Sequence, residues 1–175
     1  MHSKNSKSCG EDALETLRAF PGLVYAVLDA ARDKQVLALL QSAGAKYHSL
    51  YEGPQAEELA SVAPYLVDLT REHALLERII SAGWGKSWGI FLTGTKPFDE
   101  IRRHLRKFLM VREEAAGKRL YFRFYDPRVL RNFLPTCLPQ QSAALHAEID
   151  SFFTESEDGR LLRFARPPGV QPLSA

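Results

Sequence analysis

A chain of 175 residues, 45% apolar and 25% charged, fits a single folded domain and needs neither disulfides nor metals to complete its core. Its formal net charge of +2 supplies no global field toward nucleic acid or membrane, so any electrostatic preference must come from local clusters. The two cysteines, Cys9 and Cys137, stand far apart without a Cys-x-x-Cys pair, which excludes a zinc ribbon or thioredoxin-type site and suits a reducing compartment.

Residues 1–10 are polar and basic, lack the apolar stretch of a signal peptide, and read as a disordered leader. Leu14, Leu17 and Arg18 belong to a short helix ended by Pro21-Gly22. Leu23 to Leu28 is apolar throughout, the pattern of a strand covered on both faces. It is also the longest apolar run, far short of the ~20 residues needed to span a bilayer, so a cytoplasmic protein without a membrane span is expected. Val36, Leu37, Leu39, Leu40 and Ala43 predict an amphipathic helix with Gly44 at its C-cap. Tyr47 to Tyr51 predicts a second strand, Gln55 to Ser61 a short helix, and Tyr65 to Leu69 a third strand. Leu75, Leu76, Ile79 and Ile80 mark a helix capped by Gly83, and Trp88 to Thr93 a fourth strand.

Pro97 opens a helix with Asp99 and Glu100 in its first turn, where carboxylates suit the helix dipole. Its apolar side is Phe98, Ile101, Leu105, Phe108 and Leu109. Leu120, Phe122 and Phe124 alternate with Tyr121, Arg123 and Tyr125, a period of two that predicts a strand with the first set facing the core. Asp126 reads as an N-cap with Pro127 at the first helical position, and Pro135 closes that helix. A helix from Pro139 to about Ile149 follows, then a hairpin turning at Glu157-Asp158-Gly159 and a loose tail over residues 167–175.

This alternation of strand and helix argues for an α/β fold. The expected form is a layered sandwich with a largely parallel or mixed central sheet flanked by helices, completed by C-terminal helices and a hairpin at a sheet edge. One domain over residues 11–166 is expected, with residues 118–166 set off as a candidate C-terminal lobe.

Several patterns suggest chemistry and fail on context. Gly85-Lys86-Ser87-Trp88-Gly89 satisfies the Gly-x-Ser-x-Gly pattern of a nucleophile elbow, which requires a strand before the serine and a helix after it. Here the order is reversed, and glycine-rich turn geometry explains the residues better. A P-loop reading fails as well, because Ile80 stands where the first glycine belongs. His48, His73, His104 and His146 have no metal-ligand spacing, and no cofactor motif is present. Cys137 with His146 could only form a nucleophile–base pair by meeting in space, and a structural thiol is the better reading. Arg102, Arg103, Arg106 and Lys107 make one cationic helix face, which is solvated or meets phosphates or an acidic protein surface, with the solvated face or a protein contact favoured over DNA. No nucleic-acid recognition motif accompanies it.

The most informative stretch is Leu120-Tyr121-Phe122-Arg123-Phe124-Tyr125-Asp126-Pro127-Arg128-Val129-Leu130. Arg123, Asp126 and Arg128 sit at a strand-to-helix corner and can form an ion network. Two roles are open for it: fixing the corner, or binding an anion or partner at the sheet's edge, where open α/β folds place ligands and where Asp29 would also lie.

Phe122 to Leu130 closely resembles the signature of the type VI secretion adaptor chaperones, long catalogued as a domain of unknown function. Colinear segments support the resemblance: Tyr25 to Ala30, Leu50-Tyr51-Glu52-Gly53, Ala63 to Val67, Trp84-Gly85, Trp88-Gly89-Ile90, His104 to Leu109 and Phe133-Leu134-Pro135. It covers roughly residues 23–153. The resemblance implies a non-catalytic adaptor that binds a secreted effector in the cytoplasm and loads it onto the VgrG spike, without cofactor, metal or nucleic acid. Arg123, Tyr125, Asp126, Arg128, Arg103 and Arg106 are the candidate partner-binding residues. The alternative is a small α/β enzyme or anion-binding module centred on Arg123, Asp126 and Arg128.

Overall fold

The apolar run that follows Pro21-Gly22 becomes the centre of the molecule. In a computed structural model, which describes residues 9–112 and 119–170, β1 (Leu23–Asp29) lies between two other strands and is buried on both faces. Val24, Ala26 and Leu28 face one apolar cluster, while Tyr25 and Val27 face another.

The remaining elements follow in chain order. They are α1 (Cys9–Arg18) before β1, then α2 (Lys34–Ala43), β2 (Tyr47–Ser49), α3 (Pro54–Glu58), a 3-10 turn (Ala60–Val62), β3 (Pro64–Asp68), α4 (His73–Gly83) and β4 (Gly89–Gly94). After these come α5 (Phe98–Arg106), β5 (Met110–Arg112), β6 (Arg119–Tyr121), α6 (Pro127–Phe133), α7 (Pro139–His146), β7 (Ser151–Glu155) and β8 (Leu161–Ala165). Residues 1–8 and 171–175, the outer parts of the expected leader and tail, lie outside the described residues, and α1 starts within the expected leader at Cys9.

Among the described residues, six strands form one sheet in the order β2-β3-β1-β4-β7-β8, and every neighbouring pair is antiparallel. The expected parallel or mixed sheet is therefore wrong. The helix-linked strands β1 and β2 do run parallel, but β3 is inserted between them; β3 and β4 are likewise parallel, with β1 between them. This is the split βαβ arrangement, in which each crossover skips one slot and an antiparallel strand fills it. A continuously apolar strand reports that both faces are covered and is silent on strand direction.

Covering is divided by chain position. Ala13 and Leu17 of α1, Val36 and Leu40 of α2, and Leu75, Leu76, Ile79 and Ile80 of α4 pack on one face. Phe98, Ile101 and Leu105 of α5, Leu130 of α6 and Leu145 of α7 pack on the other. The local signals explain the helix ends. Asp33 caps α2 by accepting from the Gln35 N–H, and Gly44 leaves it in the left-handed region at φ 71°. Gly83 is instead the last residue of α4, and a Cβ there would lie 2.5 Å from the Trp88 ring.

The largest departure concerns residues 120–125. Strand β6 ends at Tyr121 and pairs only with β5, in a two-stranded ribbon apart from the main sheet. Phe122 N–H still donates to Leu109 O at 2.9 Å, but Asp126 N–H then turns back to Arg123 O at 3.0 Å. Leu120 and Tyr121 are both exposed, whereas Phe124 and Tyr125 are both buried. The aromatic alternation thus belongs to a ribbon end and a turn, and the two-faced strand expected there is not formed. Among the described residues no helix is long and apolar enough to cross a membrane.

Candidate functional site

The end of β1 carries Asp29, which is almost wholly buried. Its backbone N–H donates to Trp88 O at 2.8 Å, and its Oδ1 accepts from Ala31 N–H at 3.0 Å. The remaining oxygen, Oδ2, accepts from the Arg123 guanidinium at 2.5 Å, and that guanidinium also lies 5.9 Å from the centre of the Tyr125 ring. Asp126 forms the second pair. It caps α6 through the Arg128 N–H at 3.0 Å and accepts from Arg128 Nε at 3.0 Å and a terminal nitrogen at 2.6 Å. Burial pushes the Asp126 carboxyl up, but the Arg128 hydrogen bonds and the charges of Arg128 and Arg123 hold it below its ordinary value.

Arg123, Tyr125, Asp126 and Arg128 are therefore brought together, as two arginine–carboxylate pairs joined by Asp29 from the far end of the sequence. Both carboxylates are buried, and 42% of the Arg123 side chain and 49% of the Arg128 side chain are exposed. Their outward chemistry is that of guanidinium N–H donors.

Beside this corner lies a tyrosine cluster. Tyr121 lies beside Tyr51 and Tyr125, and burial pushes the phenol of Tyr125 well up from its usual range. Tyr51 and Tyr121 meet edge to face at 5.9 Å. They form one side of an open groove of about 540 Å³ lined by Leu50, Tyr51, Leu59, Leu109, Met110 and Tyr121, with Glu52 and Arg106 also contributing. Leu59, Met110 and Tyr121 are exposed, an apolar surface that the core does not absorb. The groove and the arginine corner share one end of the sheet. Asp29 is opposite Pro64 on β3, and Pro64 O accepts from Leu50 N–H beside β2 at 2.9 Å. They are thus about two strand spacings, ~10 Å, apart.

The cationic face of α5 is split. Arg102 donates to the carbonyls of Ser49 at 2.8 Å and Tyr51 at 3.4 Å, and Arg106 to that of Leu50 at 2.9 Å. Both also reach Glu52, at 3.0 and 2.6 Å. They clamp the connection after β2, and Arg106 reaches the groove through that clamp. Arg103 and Lys107 are exposed on the other side.

The enzyme-like motifs resolve into structural parts. The Gly85–Gly89 segment is a helix-to-strand turn with Gly85 at φ 81° and Ser87 at φ 56°. Its backbone donors converge on Glu155, whose carboxylate accepts from Gly85 N–H at 2.5 Å and Ser87 N–H at 2.8 Å, with the Ser87 hydroxyl at 3.3 Å. Sequence reasoning missed Glu155, since a glutamate at a strand end carries no sign of a turn some seventy positions earlier. Cys137 Sγ donates to Leu134 O at 3.4 Å rather than pairing with His146, whose ring contacts Phe152 and the Ile149 carbonyl. His104 bonds through Nε2 to Leu145 O at 2.8 Å. Among the described residues no group of His, Cys, Asp and Glu could hold a metal ion.

Comparison with known proteins gives one family. The model of a domain of unknown function (DUF4123) matches residues 24–144, which takes in β1, the groove, the arginine corner and most of α7. Nothing matches among curated proteins or among solved structures.

Proposed function

Because the chain belongs to the DUF4123 family, we propose that it is a non-catalytic adaptor that binds a type VI secretion effector in the cytoplasm and delivers it to the VgrG spike. The signature from Phe122 to Leu130 supports this reading by its resemblance to the adaptor chaperones. The observation that carries it is the groove with exposed Leu59, Met110 and Tyr121 on the sheet end where that signature folds. Binding another polypeptide needs an apolar centre with a polar rim, and here Glu52 and Arg106 stand among the apolar residues. A small enzyme or anion-binding module at Arg123, Asp126 and Arg128 is the weaker reading, because both carboxylates are already bound to arginines.

The test is co-purification of the chain with the type VI effectors and the VgrG proteins of its own source organism. A stable complex with an effector is expected, lost in Met110→Asp and Tyr121→Asp variants that keep the wild-type circular dichroism. Failure of the wild-type chain to hold either protein would remove the reading.

A further inference from the structure

At the sheet end that carries the groove, four cations reach the surface: Arg123 and Arg128 from the second face, and Arg32 and Lys86 from the loops after β1 and α4. Arg32 donates to the Lys86 carbonyl at 3.5 Å, and its own N–H donates to Asp29 O at 3.0 Å, so these two residues adjoin the Arg123–Asp29 pair. Of the carboxylates at the same place, Asp29, Asp126 and Glu155 are buried and Asp33 caps α2, while Glu157 is exposed beside Arg131 at 3.5 Å. At the groove end Glu52 is held by Arg102 and Arg106, while Glu57 and Glu58 are exposed just before Leu59.

Resting on the adaptor reading, we propose that the client segment is an acidic, amphipathic polypeptide bound with a fixed polarity. Its apolar side chains lie in the Tyr51–Leu59–Met110–Tyr121 groove, and its carboxylates meet Arg123, Arg128, Arg32 and Lys86. The pairing of Arg123 and Arg128 with buried carboxylates holds both guanidinium planes in place before the partner arrives, which reduces the ordering cost of binding. Guanidinium groups favour bidentate carboxylate contacts, and Glu57 and Glu58 next to Leu59 disfavour the reversed orientation.

The experiment measures binding of the purified effector toxin that co-purifies with the chain to wild-type chain and variants between about 50 mM and about 300 mM salt. Arg32→Glu with Lys86→Glu reverses two exposed charges that hold no buried carboxylate, so its fold is checked simply by circular dichroism. The expected results are roughly tenfold weaker binding by that double variant, a clear loss of wild-type affinity as salt rises, and partial retention in Arg123→Lys. Unchanged binding in the double variant and at high salt, with loss in Met110→Asp, would overturn the acidic client while leaving the adaptor reading intact. Absence of any effector that co-purifies with the wild-type chain overturns both. Tighter binding of a single-stranded oligonucleotide than of the toxin would also overturn it, by assigning the cations to phosphate.

Discussion

Two arginine clusters, alike in the sequence, are used in different ways. On α5, Arg102 and Arg106 direct their donors at backbone carbonyls of residues 49–51 and at Glu52, which is itself half-exposed. At the signature corner, Arg123 and Arg128 bind carboxylates that water does not reach. The first arrangement secures a connection and is screened by solvent on one side. The second neutralises charges that could not stay buried alone. Density of positive charge therefore says little about function: the acceptors decide, and they come from elements distant in the chain.

Removing Arg123 is the sharpest way to break the comparison. Arg123→Ala leaves Asp29 buried and unpaired, and a loss of about 2–4 kcal/mol is expected by urea unfolding, the lower part of the range reflecting the half-exposed arginine. Arg102→Ala or Arg106→Ala should cost less, about 1 kcal/mol each, with faster amide exchange confined to residues 49–52. If either α5 variant matched Arg123→Ala, the distinction between the clusters would fail.

Acid separates the two regions again. Burial holds His104 of α5 and His146 of α7 below the ordinary 6.5 of an imidazole, so the unfolded chain takes up protons first. Stability should fall as the pH drops below 6.5 toward the lower folded values, seen as a shift in the urea midpoint that His104→Gln reduces. Asp126 acts at a lower pH. Its folded carboxyl lies below the usual 3.8, so its contribution is complete above that value and is lost as the pH falls through the depressed one. An Asp126→Asn variant should flatten the curve only in that acidic window. The smallest change belongs to Arg103→Ala, on the exposed side of α5, which should stay within about 0.5 kcal/mol of the wild type by the same urea assay.

What could be read in advance was local. Gly44 ends α2, Asp126 with Pro127 starts α6, and Gly159 lies in the β7–β8 turn, because caps and tight turns act over a few residues. Asp29 was placed near Arg123 from its position at a strand end, and it does bind there. Strand direction could not be read, since the residues that make β1 apolar would do so in either kind of sheet. Nor could Glu155, which acts on Gly85 and Ser87 through a fold-level encounter. The aromatic run after Leu120 misled because a period of two also arises where a ribbon ends and a turn buries two consecutive rings.

The position of β7 has a consequence for biosynthesis. While the nascent chain is still short of residue 151, β4 has no neighbour on its outer side, and the Gly85–Ser87 amides have no carboxylate to receive them. An unpaired strand edge recruits other chains. Fragments that stop before Ser151 should therefore aggregate, even though they contain the groove and both arginine clusters intact in sequence.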